Sequence, residues 1–256
     1  MNINSLLPKV KEEILKPFSE KFERTKQLIK LFSKVPNACV SCSFGKDSMA
    51  VLKLVLEENP NIPVIFNDTL IEFPETLKLK NRIVKEWNLN FFETRPEKGV
   101  NFWTINDRII KEGLKMDDGR KRSNICCYHL KKKPFAIWRK LNNITSSFTG
   151  ITAVESRHRM FTACQKGMEY YSFGDGLRKI HPIIWWTEEE VWKFIKENSI
   201  PVNEAYAKYG INRIGCMWCM SYKNWRKNVA KINPKVYEYM LTRYKGYKRT
   251  ESLLDL

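Results

Sequence analysis

The stretch that most constrains this chain runs from Asn37 to Glu57, NACVSCSFGKDSMAVLKLVLE. A short apolar run, Ala38 to Val40, leads into the polar Ser43-Phe44-Gly45-Lys46-Asp47-Ser48, and Met49, Leu52, Val55 and Leu56 then recur at the spacing of one helix face. Strand, tight loop and helix in direct succession turn successive backbone N–H groups into a concavity, with a positive helix N-terminus behind it. Lys46 adds a cation, and Ser43 and Ser48 add hydroxyl donors. Such a loop is a seat for phosphate; the plainer alternative is a Ser/Gly turn in which Ser43 or Asp47 only caps the helix. It is not a Walker loop, because Gly45 has no glycine partner upstream, and GxGxxG is absent as well.

The same alternation continues along the chain. Pro63 to Phe66 reads as a buried strand closed by Asn67-Asp68-Thr69, and Pro74-Glu75 opens a helix through Leu77, Leu79, Ile83 and Trp87. Leu89 to Glu93 reads as a strand, Trp103 to Ile110 as a helix, Lys115 to Arg122 as an exposed charged loop, Pro134 to Leu141 as a helix, and Ser147 to Thr149 as a strand ending at Gly150. Strands alternating with helices predict an α/β fold with a doubly wound, mainly parallel sheet, whose ligands sit beyond the strands' carboxyl ends. Upstream, Val10 to Phe32 is amphipathic and broken or restarted at Pro17. It is either a helix packed on the sheet or an oligomerisation arm, which would make a homodimer. Thr187 with Glu190 three residues on is a capping box opening a further helix. The expected organisation is a helical arm over 1–36, a nucleotide-binding α/β domain over 37–185, and a smaller helical, cysteine-containing and basic segment over 186–256.

Composition narrows the setting. With 256 residues and 43% hydrophobic content the chain can build a proper core, and no apolar run approaches a bilayer span or a signal-peptide hydrophobic region. A cytoplasmic protein without membrane contact is expected. Forty-five Lys+Arg against 28 Asp+Glu, a net charge of +17, suits polyanions such as nucleotides or nucleic acid, although a lysine-rich background gives the same bias. From Lys223 to Arg249 basic residues interleave with Trp225, Tyr237, Tyr239, Tyr244 and Tyr247, either a nucleic-acid contact or a solvated helical tail.

Seven cysteines in a cytosolic chain argue for metal or thiol chemistry over a disulfide framework. Cys126-Cys127 and Cys216-Met217-Trp218-Cys219 form two pairs that together make a four-thiolate site. Adjacent cysteines point apart and rarely chelate one small ion, so a [4Fe-4S] cluster is favoured over zinc, with buried unliganded thiols as the third choice. Cys39 reads as a core residue, whereas Cys42, near the loop, and Cys164 are open to carrying sulfur.

Five ordered motifs now carry a family resemblance: SFGKDS at Ser43 to Ser48, DTLIEFPET at Asp68 to Thr76, CCYHLKKKP at Cys126 to Pro134, GITAVESRHR at Gly150 to Arg159, and HPIIWWTEEEVW with GCMWC downstream. The loop resembles that of the ATP pyrophosphatases. The whole set, over roughly Asn37 to Cys219, resembles the phosphoadenylyl-sulfate (PAPS) reductase family of the adenine nucleotide α-hydrolase-like group. The resemblance implies a five-stranded, largely parallel sheet with a nucleotide at the strand carboxyl ends. It places Asp68, Thr69 and Gly150 near that nucleotide, and puts Arg157 and Arg159 on phosphate or sulfate.

Two departures shape the expected function. Sulfonucleotide reductases usually carry a catalytic cysteine in a C-terminal tail, and the residues after Cys219 hold none; they also often lose the Lys-Asp-Ser that is intact here. The combination resembles the cluster-bearing sulfur-transfer branch, the DNA phosphorothioation proteins and related tRNA thiolation enzymes. It implies ATP and Mg²⁺ adenylating an acceptor on DNA or tRNA. Lys46, Asp47 and Ser48 would be the catalytic loop residues, with Asp47 nearest the metal. The sulfur would come from an open cluster iron or a cysteine desulfurase. The alternatives are a PAPS or adenylyl-sulfate reductase that borrows its thiol from Cys164, Cys42 or a partner, and a non-catalytic nucleotide-binding regulator.

Overall fold

The computed structural model describes residues 6–112, 124–219 and 225–243. The charged loop over Lys115–Arg122, together with Tyr244, Tyr247 and the side chain of Trp225, lies outside the described residues. The chain divides into two compact units woven from separate segments: a sheet unit of Met1–Asn67, Pro74–Thr94 and Phe135–Glu204, and a cysteine unit of Asp68–Phe73, Arg95–Pro134 and Ala205–Leu256.

The sheet unit is built on β1 (Ala38–Ser41), β2 (Val64–Asn67), β3 (Phe91–Thr94), β4 (Ser146–Thr149), β5 (Glu169–Ser172) and β6 (Leu177–Ile180), in the order β3-β2-β1-β4-β6-β5. Five strands are parallel, in agreement with the expected parallel core. The expected count of five is corrected to six, because β5 pairs antiparallel with β6 at the edge. The register sets Ser41 of β1 beside Ile65 of β2 and Thr149 of β4, so the two loops leaving β1 and β4 start side by side. The order reverses at β1, the crevice where doubly wound sheets take their ligands.

Helices α1 (Pro8–Leu15), α2 (Phe18–Ser33), α3 (Lys46–Glu58) and α4 (Pro74–Glu86) alternate with the first strands, and α8 (Arg157–Lys166) and α9 (Glu188–Glu197) follow the later ones. Pro17 interrupts the first amphipathic stretch as its fixed φ and missing donor require. Helix α2 is packed on the core rather than held out as an arm: Ile29 is buried, and Phe18 and Phe22 meet Trp186 with ring centroids 4.9 and 6.0 Å apart. Trp186 also meets Phe194 at 5.4 Å and donates its indole N–H to Thr25 Oγ1 at 3.1 Å, so one side chain joins α2 to α9.

The cysteine unit contains α5 (Phe102–Lys111), a helical turn α6 over residues 124–127, α10 (Ala205–Tyr209), α11 (Trp225–Ile232) and α12 (Pro234–Arg243). A wide π-type turn, Tyr128–Lys132, follows α6 and leads on into α7 (Lys133–Leu141). The unit's core is Ile71, Phe102, Ile105, Ile109, Leu130, Val229 and Met240. Among the described residues no helix is long and apolar enough to cross a membrane.

Removing the side chain that joins α2 to α9 leaves a large cavity, while the Thr25 hydroxyl keeps its bonds to the Lys21 and Pro182 carbonyls. Trp186→Ala is expected to cost about 3–5 kcal/mol in chemical denaturation; a loss under about 1 kcal/mol would show that α2 does not depend on this contact.

Candidate functional site

In the sheet unit, the loop between β1 and α3 is held by its own hydroxyls. Ser48 Oγ donates to the Gly45 carbonyl at 2.9 Å, accepts from the Ser43 N–H at 3.2 Å and shares a hydrogen bond with Ser43 Oγ at 3.2 Å. The buried Ser48 hydroxyl therefore holds the loop in shape, while Ser43 is exposed. Phe44 adopts a left-handed φ of 55°, rare for a bulky residue, and its ring is fully buried against Phe66 and Phe91. Of this residue only the backbone can serve a ligand. The positive φ reverses the chain at once after β1, and α3 begins two residues later.

Gly150 is the counterpart after β4. A Cβ at this position would lie 2.5 Å from the carbonyl carbon and oxygen of Asp47 and from the Ser48 nitrogen. Only glycine allows the two backbones to approach this closely. The preceding residue, Thr149, shares a 2.6 Å hydrogen bond between its Oγ1 and His181 Nδ1. His181 is buried, and burial, with Lys179 and Arg159 adding like charge, pushes its pKa down to about 4.

Lys46 is 7% exposed, and its Nζ lies 3.0 Å from Asp47 Oδ2 and 3.7 Å from Glu188 Oε1. Sequence reasoning missed Glu188, since the capping-box signal draws attention to Thr187 and Glu190. That box is formed, and Glu190 also pairs with the buried Lys21 at 2.6 Å. Arg157 is exposed at the start of α8. Arg159 is half-buried and ion-paired with Glu155, four residues back. Neither of the other thiols considered as sulfur carriers sits openly. Cys42 is 3% exposed, accepts the Phe44 N–H at 3.4 Å and has its pKa pushed up to about 11 by burial; Cys164 is half-buried among α1 and α8 side chains. Cys39 is a core residue, as read.

The cysteine unit holds the other candidates. Asp68 accepts from Arg95 Nε at 3.1 Å and from the Leu70 N–H at 2.9 Å. The fully buried Thr69 donates to Glu72 Oε1 at 2.6 Å and touches Cys216 Sγ at 3.4 Å, so its hydroxyl is engaged on the cysteine side. Cys126, Cys127, Cys216 and Cys219 are all in this unit and all reduced. Two backbone bonds shape the second pair: the Met217 N–H donates to Ile71 O at 2.8 Å, and the Cys219 N–H closes a turn on Cys216 O at 3.1 Å. The first pair lies in α6, directly before the π-type turn, which buries Leu130 in the core and carries Lys131 toward the thiols.

The electrostatics show that the four thiols are neighbours. Burial, then Cys216, Cys127 and Cys219, push Cys126 up to about 12; burial, with Glu72 and Cys219, pushes Cys216 up to about 12. Cys127 is raised by burial, and Lys131 is raised chiefly by Cys216. Among the described residues no group of three or more His, Cys, Asp or Glu side chains is arranged to hold a metal ion. The thiols are thus gathered without being closed on one point. Half-buried sulfur donors, with Cys126, Cys127 and Cys216 raised by burial and Lys131 beside them, suit a positively charged centre.

The same unit displays an aromatic and cationic face. Trp103 meets Trp218 at 5.4 Å and Tyr239 at 5.0 Å, and the Arg243 guanidinium lies 5.8 Å over Trp103 and 5.7 Å over Tyr239 while paired with Asp107.

Comparison with known proteins places this chain in a family. Residues 37–222 match the phosphoadenosine phosphosulfate reductase domain, and the chain belongs to that family, whose members are enzymes. An adenosine 5'-phosphosulfate reductase of Staphylococcus epidermidis is 30% identical over 184 residues, 71% of this chain and 69% of that protein. The fold is similar to phosphoadenylyl-sulfate reductase of Candida auris, with TM-score 0.57 and 21% identity over 75% of this chain and 87% of that one. It is also similar to the U34-tRNA thiolase NcsA of Methanococcus maripaludis, solved with its [4Fe-4S] cluster, at TM-score 0.50 and 15% identity over 93% and 84%.

Two outcomes follow from this geometry. Gly150→Ala should loosen the loop, raising amide hydrogen exchange across 43–48 while the β2–β3 pair stays protected; unchanged exchange would mean the contact is dispensable. His181 is neutral in the fold, so its contribution is complete above the unfolded value near 6.5 and is lost as pH falls from there toward 4. That loss is on the order of 3 kcal/mol, and denaturation midpoints of His181→Gln should lack this part of the acid slope.

Proposed function

We propose that the chain is an ATP-dependent adenylating sulfurtransferase with an iron–sulfur cluster and a nucleic-acid acceptor. The observation that carries this reading is the intact Lys46-Asp47-Ser48 loop, with a nearly buried ammonium at the start of α3. A leaving pyrophosphate is the group that most needs such a seat. In the reaction an acceptor oxygen attacks the ATP α-phosphorus, the bond to the β-phosphate breaks, and pyrophosphate departs. A sulfur nucleophile then displaces AMP from the activated acceptor. Lys46 and the loop amides offset charge developing on pyrophosphate, Asp47 would hold Mg²⁺, and Ser43 is the hydroxyl on the exposed side. Gly150 keeps the loop in place. Asp68, Thr69, Arg157 and Arg159 are proposed nucleotide-side residues, with Thr69 acting through its backbone because its hydroxyl is engaged.

Cys126, Cys127, Cys216 and Cys219 would hold a [4Fe-4S] cluster, in preference to zinc. When bound, it would compensate four thiolates and supply an electron-storing centre. Four cysteine ligands would occupy all four irons, which favours a persulfide from a cysteine desulfurase as the sulfur source. Its outer sulfur would bond to the acceptor as AMP leaves. A second thiol would then attack the resulting disulfide at the carrier sulfur, freeing the thiolated acceptor and forming a carrier disulfide that an external thiol reductant restores. Lys131 would offset the negative charge of the thiolate set. The Trp103, Tyr239 and Arg243 face offers stacking and cationic contact for a DNA or tRNA acceptor.

A second reading, adenylyl-sulfate or PAPS reduction, is favoured by the activities named for the similar reductases. It needs an accessible nucleophilic thiol, and the burial of Cys42 removes one of its candidates. Anaerobically purified protein is expected to carry about four irons, lost in Cys216→Ala, and to release pyrophosphate from ATP, lost at least about 100-fold in Lys46→Ala. Colourless protein with stoichiometric zinc, or full pyrophosphate release by Lys46→Ala, would overturn it.

A further inference from the structure

Three consecutive glutamates open α9, and each has a different partner. Glu190 Oε2 accepts the Thr187 N–H at 2.8 Å, and its carboxylate also pairs with Lys21. The Glu189 carboxyl is held below the usual range by hydrogen bonds at its own helix terminus, from its backbone N–H and Thr187. Glu188 alone of the three reaches the phosphate-type loop, with Oε1 3.7 Å from Lys46 Nζ. The helix start that presents it is rigid: the capping box, the Lys21 ion pair and the buried Trp186 fix residues 186–190. Glu188 is itself 46% exposed, so its pairing with Lys46 is a contact that an entering anion can break.

Two carboxylates thus stand at the cation of the loop. Asp47 and Glu188 bring two formal negative charges to the ammonium of Lys46, which has little contact with water. A bare polyanion arriving there meets repulsion that high-dielectric screening only partly removes. The same polyanion with a divalent cation on it carries less charge and offers the two carboxylates a cation to face.

We propose that Glu188 is a specificity-determining residue: it makes this loop select cation-complexed polyphosphate over free polyanions. The inference rests on reading the loop as a pyrophosphate seat. It assigns Glu188 a role separate from helix capping, which Thr187, Glu189 and Glu190 already perform.

Calorimetric titration with inorganic pyrophosphate, with and without excess Mg²⁺, tests it on four proteins. Glu188→Gln should bind Mg²⁺-free pyrophosphate about tenfold more tightly than the natural chain, while the two differ little when Mg²⁺ is present. Glu188→Asp, which keeps the charge, should retain the natural discrimination. Glu189→Gln removes the same charge one residue away and should behave like the natural chain. Equal Mg²⁺-free affinities for the natural chain and Glu188→Gln would overturn the proposal. So would an identical gain in Glu189→Gln, since the effect would then be net charge. Failure of the natural chain and both glutamine variants to bind pyrophosphate under either condition would instead sink the pyrophosphate-seat reading, and this inference with it.

Discussion

The contact on which the loop's geometry depends is one backbone pressed against another, Gly150 on Asp47 and Ser48. It follows from parallel pairing: with Ser41 beside Thr149, the segments leaving β1 and β4 emerge as neighbours, and the space between them admits no side chain. The elements around it maintain that approach. His181, kept neutral by burial, ties Thr149; Ser48 closes the loop from within; and the buried Phe44 ring anchors the turn into α3. The stretch from His181 to Trp192 bears on the loop twice, through His181 behind Thr149 and through Glu188 on Lys46.

In the cysteine unit burial again favours the neutral form. Thiols taken out of water become poor acids, and Cys126 and Cys216 are pushed up to about 12. As neutral thiols they cluster at no charge cost; ionising them together would be costly, and Lys131, carried inward by the π-type turn, would offset part of that cost. The proposed metal centre would compensate the rest.

The parallel core was legible in the sequence because its strands are short apolar runs closed by polar residues: Ala38–Ser41, Val64–Asn67, Phe91–Thr94 and Ser146–Thr149 all fall within a residue or two of where the pattern puts them. Strands β5 and β6 were not, and the reason is physical. EYYS lies half-exposed at an edge and LRKI carries Arg178 and Lys179 in its middle, so neither shows the apolar run of a buried strand. Residue type revealed the loop but not which way its groups face: Phe44 belongs to the core and the Ser48 hydroxyl to the loop's own framework. Glu188 could have been found only by asking why three carboxylates stand together when a capping box needs one.

In the proposed reaction the loop holds the departing pyrophosphate of ATP. The most direct measurement gives the anaerobic protein radiolabelled ATP and radiolabelled adenylyl sulfate side by side, with reductant present, and follows the products. Pyrophosphate and AMP from ATP, with adenylyl sulfate left intact, is the result expected. Sulfite from adenylyl sulfate with no cleavage of ATP would instead make the chain a reductase.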